Sequence, residues 1–260
     1  MFDTVGPGAR CVADLQLLDT VMSGGDDVQV KVEAKGLRVG VPRKFFYDGL
    51  TPDVEKAFAS SLAKLEAAGV VLVTSEVPTD VSGNFEDMLV LCTEHFVKDL
   101  DEYLKAEVAD PNNPFKENMT GKDLITQVSN PVSKGIMESL SNSAPAETLA
   151  ALQQKRQHQN KILAEYFTHN RLDCAFYPAC NQTAPPLAGG DMADIAIFNG
   201  RFNVAPFNSV PACVMPVGLG SDGLPIGAEV LGGPSSDRKT LAIAKVMEDI
   251  IGHIAPPTLK

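Results

Sequence analysis

The stretch Gly232-Gly233-Pro234-Ser235-Ser236-Asp237 holds the residue types a serine hydrolase needs, hydroxyls beside glycine amides. A neighbouring base would make such a hydroxyl a nucleophile, and the N–H groups of a glycine-rich loop would hold a tetrahedral oxyanion. Its context points elsewhere. It follows an apolar strand and opens the last helix, where Ser and Asp side chains cap free N–H groups. Ser60-Ser61 lies inside a helical pattern and gets the same structural reading. Cys180 with His95, His158 or His169 would make a Cys-His hydrolase. No local nucleophile signature surrounds them, so they read as a packing cysteine and surface histidines. Nothing fixes the separation of Glu76, Glu86 and Glu94, which read as solvated charges and not as an acid–base pair.

The chain that must position these groups has 260 residues, enough to bury a large core. A net charge of −11 leaves no basic surplus to neutralise phosphates, which argues against a nucleic-acid partner. No apolar run reaches the roughly 18 residues of a membrane span. Met1-Phe2-Asp3-Thr4 has neither the basic start nor the apolar core of a secretion signal, so a cytoplasmic location is expected. Five scattered cysteines (Cys11, Cys92, Cys174, Cys180, Cys213) with no C-x-x-C pair read as reduced thiols, without a disulfide framework or zinc site.

The elements alternate in an α/β manner. Residues 9–22 read as a helix with Ala13, Leu17, Leu18 and Val21 on its packed face, stopped by Ser23-Gly24-Gly25. Leu37 to Pro42 is a short buried strand. Thr51 caps the next helix and Pro52 takes its first position, with Val54, Phe58, Leu62 and Leu65 at helical spacing. Gly69 closes that helix and Val70 to Val73 returns as a strand. The region of about 78–145 is irregular, with a helix near 85–105 and a Pro/Asn turn at 110–114. A long helix follows to Asn170, its centre from Gln153 to Asn160 facing solvent. Strands are expected at 173–178, 213–217 and 226–231, the last two joined by the turn Ser221-Asp222-Gly223. A final helix over 236–251 buries Leu241, Ala244, Met247, Ile250 and Ile251.

Several collinear blocks resemble one family. Phe2-Asp3-Thr4-Val5-Gly6-Pro7-Gly8-Ala9-Arg10 is similar to the segment that amidase signature hydrolases carry just downstream of their catalytic region. Lys35 to Arg43, the block Phe202 to Asn208 with Pro211-Ala212 and Pro216-Val217-Gly218, and Ser221 to Gly227 resemble later blocks in the family's order. Glu94 to Leu104 resembles the indoleacetamide and mandelamide hydrolase branch.

The resemblance implies a Ser nucleophile, a second Ser with a cis peptide bond and a Lys base. All three would lie upstream of Asp3, with no matching position here. It further implies that Asp3 supports the nucleophile's loop with Arg10 beside it, unless Asp3 only organises the Thr4–Pro7 turn. Phe96, Asn203, Phe207 and Asn208 are candidates for the substrate cleft, with core packing the alternative for the two phenylalanines.

The expectation is an α/β chain, residues 1–260 as one domain, with a mixed sheet flanked by helices on both faces. It would be the carboxy-terminal portion of an amide hydrolase, needing no metal or cofactor and acting on a small-molecule amide. A silent truncated homologue serving as a binding or assembly module is the alternative. An exposed edge or apolar face left by a missing half favours self-association or pairing with a separate amino-terminal half.

Overall fold

The computed structural model describes residues 6–25, 30–78, 85–107, 119–185 and 204–255. Two compact units appear, a helical unit over residues 84–157 and a sheet unit of residues 3–83 with 158–260.

The sheet unit starts with α1 (Val12–Met22), β1 (Arg38–Gly40), α2 (Pro52–Ala67) and β2 (Val71–Val73). Its carboxy-terminal segment supplies the end of a long helix, then β3 (Cys174–Pro178), a helical turn at Val204–Asn208, β4 (Ala212–Leu219) and β5 (Pro225–Leu231). A last helix covers Asp237–Ile251. The five strands run in the order β2-β1-β3-β5-β4. β1 pairs parallel with β2 and with β3, which requires a crossover, and α2 supplies the first one. β5 lies antiparallel to both β3 and β4. The β4–β5 hairpin closes through Gly220 N–H to Leu224 O at 2.9 Å, with Gly223 at φ 79°, as the Asp-Gly turn predicts.

Alternation along each strand sends side chains to two cores. Val39, Phe176 and Met215 meet Val54, Phe58 and Leu65 of α2, and Ile243 and Met247 of the last helix. On the other face Ala175, Tyr177 and Leu231 meet Phe46, Leu163, Tyr166 and Phe167. Both faces of the mixed sheet are covered by helix, so the expected α/β architecture is present.

α2 follows its sequence signals, with Val54, Phe58 and Leu65 buried and Gly69 at φ 91° beyond its end. Thr51 sits at the cap position, but its hydroxyl makes no cap bond, and its N–H donates to Asn181 O at 2.8 Å.

α1 departs further from expectation. Leu17 and Val21, read as packed, are 64% and 70% exposed, and Ala13 and Leu18 also face solvent. The helix is held instead by Val12 and Leu15 against the first core. Its first amide donates to both oxygens of the buried Glu248 carboxylate, at 3.0 and 3.2 Å. Cys11 offers no side-chain cap, so a residue 236 positions away does the capping. Glu248→Ala is expected to cost about 1–2 kcal/mol in urea unfolding and to speed amide exchange in α1. Glu248→Gln keeps an acceptor and should retain most of that stability. Equal stability of wild type and Glu248→Ala would show that α1 is held by packing alone.

The helical unit holds α3 (Phe85–Cys92), α4 (Phe96–Glu107), α5 (Gly121–Thr126), α6 (Pro131–Leu140) and the start of α7 (Ala146–Asn170). One helix was expected over 85–105, and the chain breaks it at residues 93–95. The Thr93 hydroxyl turns back to Val90 O at 2.7 Å and accepts Ala144 N–H at 3.0 Å, so it serves the turn. α5 carries a capping box between Thr120 and Asp123, and Asn130 caps α6 ahead of Pro131. The polar centre of α7 is not wholly exposed as expected, because Gln159 is buried. In chain order the turn at Val204–Asn208 is α8 and the last helix is α9.

Candidate functional site

Four of the six expected site residues are described, one of them in the helical unit and three in the sheet unit. Asp3 and Asn203 lie outside the described residues. Arg10 is exposed just ahead of α1. Phe96 is half-buried at the start of α4 in the helical unit. Phe207 and Asn208 share one turn in α8, both buried, and Asn208 Nδ2 donates to Val204 O at 2.8 Å. That bond ties the amide to its own helix, and within the sheet unit Phe207 and Asn208 are the described candidates that share one element.

Ser61 and Ser236 have structural roles. Ser236 stands at the amino-terminal cap of α9, but its hydroxyl donates to Gly233 O at 2.7 Å and lies 3.2 Å from Thr240 Oγ1. The expected cap bond is therefore replaced by a turn bond. A Cβ on Gly232 would sit 1.9 Å from Thr240 Oγ1, so only glycine admits this close approach. Ser61 is buried in α2 and donates to Phe58 O at 2.7 Å.

All five cysteines are free thiols. Burial holds the Cys174 thiol far above its ordinary range and pushes Cys213 up to about 11, so both stay protonated packing groups. His95, His158 and His169 are exposed, as expected. Glu76 is not simply solvated, because its carboxylate accepts Arg43 N–H at 2.9 Å and Lys44 N–H at 2.8 Å and so organises the loop leaving β1.

Sequence reading missed one group with real titration chemistry. Glu229 lies on β5, 2% exposed, opposite Tyr177 of β3 in register. The Tyr177 hydroxyl donates to Glu229 Oε1 at 2.6 Å. Burial lifts the carboxyl to about 7, against the smaller downward pull of that hydrogen bond. A carboxyl poised there can hold or release a proton near neutrality. The sequence did carry a signal, one acid inside the apolar run Ile226–Leu231.

The helical unit contains an open cavity of about 390 Å³ along α4 and the 141–143 turn. Phe96 does not line it; Glu94, Lys98, Asp101, Glu102 and Lys105 do. Lys98 lies 3.9 Å from Glu102, and Asp101 accepts Gly121 N–H at 2.6 Å, so these charges are largely matched within the unit. Such a lining does not suit an aryl group. Glu248, Asp249 and His253 place ligand atoms within 4.8 Å of one another. Glu248 already caps α1, and Asp249 accepts from Lys245 Nζ at 2.6 Å, so the cluster is spent on protein partners. Among the described residues, no helix is long and apolar enough to cross a membrane.

Comparison with known proteins adds what the geometry lacks. The family model described as Amidase matches residues 1–241. An indoleacetamide hydrolase of Agrobacterium vitis is 30% identical over 267 residues, taking in 98% of this chain and 55% of that protein. A mandelamide hydrolase of Pseudomonas putida is 27% identical, over 98% of this chain and 52% of that one. The solved peptide amidase of Stenotrophomonas maltophilia superposes with a TM-score of 0.73 at 20% identity, over 98% of this chain and 55% of that one. The chain thus spans about half the length of the relatives it matches.

Proposed function

The chain belongs to the amidase family, and from that premise we propose that it is the cleft-bearing portion of an amide-bond hydrolase whose catalytic groups lie outside its 260 residues. The match along residues 1–241 carries this reading. In the whole enzyme a Ser hydroxyl attacks the amide carbon and the amine leaves with a proton. Water then splits the acyl-Ser ester. This chain would supply part of the substrate cleft's wall, with Phe207 and Asn208 of α8 among its candidates, while Asp3 and Arg10 steady the nucleophile's loop. The names of the relatives favour small aryl-bearing amides as substrates.

The described hydroxyls that most resemble a nucleophile, Ser61 and Ser236, donate to backbone carbonyls, which supports silence of the isolated chain. The exposed Leu17 and Val21 of α1 favour a second reading, a silent homologue acting as an assembly module by self-association or by pairing with a separate amino-terminal half.

The test is hydrolysis of phenylacetamide and its ester analogue methyl phenylacetate by the purified chain, together with labelling by a fluorophosphonate. Folded protein without turnover or label is the expected result. Turnover that persists through further purification, with label on a serine of this chain, would overturn the assignment of the catalyst elsewhere.

A further inference from the structure

We draw no further inference here: the strongest candidate, the buried side-chain cluster of Glu229, Tyr177 and Phe46 where β5 meets β3, belongs to the proton-holding site already described, and nothing among the described residues shows a ligand or partner that its proton would reach.

Discussion

Glu229→Gln should flatten the stability of the sheet unit between about pH 4.5 and 7 and stabilise it above that range. The native carboxyl sits near 7, while the unfolded chain returns it to the ordinary 4.5. Below about 4.5 it is protonated in both states and folding carries no ionisation cost. Between the two values the folded chain keeps a proton that the unfolded chain has released, so stability falls as pH rises. Above about 7 both states are ionised and the full cost stands, about 3 kcal/mol. Glutamine keeps an acceptor for the Tyr177 hydroxyl and has no charge to bury.

The carboxylates of Asp53, Asp123 and Asp222 are shifted the other way, chiefly by hydrogen bonds from Ser221, Thr120 and Thr183. Their contribution is lost only in stronger acid, below the ordinary 3.8, so the windows separate. Urea unfolding of both proteins at several pH values decides the matter. Parallel curves for wild type and Glu229→Gln would mean that the buried carboxyl does not titrate in this window.

Phe58→Ala should be more damaging, lowering unfolding free energy by about 3–5 kcal/mol at all these pH values. Phe58 is 1% exposed, with its ring centre 5.0 Å from Phe176 and 5.9 Å from Tyr47. It sits on α2 over Phe176 of β3, among Val54, Leu65 and Met215, so the cavity opens among residues that cannot readily collapse into it. A typical domain has only about 5–15 kcal/mol in hand, and the loss should show as a large fall in the urea midpoint. Leu17→Ala is the contrast. It removes a larger aliphatic side chain than alanine from α1, yet should change stability by less than about 0.5 kcal/mol, because that side chain is already in water. Equal losses in the two variants would mean that α1 is covered in solution.

Those two sites also mark what was readable in advance. The spacing of Val54, Phe58 and Leu65, with Pro52 and Gly69 as punctuation, gives α2 and its buried face because one helix and one sheet satisfy the pattern. The spacing of Leu17, Leu18 and Val21 looks equally strong, but periodicity reports a stripe and not what lies against it. The side that packs is Val12 with Leu15, and Glu248, far along the chain, caps the helix. Ser236 shows the same limit, since its position at the start of α9 was legible while its hydroxyl's partner depended on Gly232 and Thr240 meeting in space.

The sequence by itself determined the family, through blocks at Lys35–Arg43, Phe202–Asn208 and Ser221–Gly227 in one order, and with it the mixed sheet and the local turns. Those are matters of chain-local preference and recurring pattern, which survive without coordinates. Only the tertiary structure decided that Glu229 is buried against Tyr177, that Leu17 and Val21 of α1 face water and that β5 lies between β3 and β4. Each of these depends on which strands are neighbours, and strand order in a sheet is set by long-range pairing that no window of residues contains.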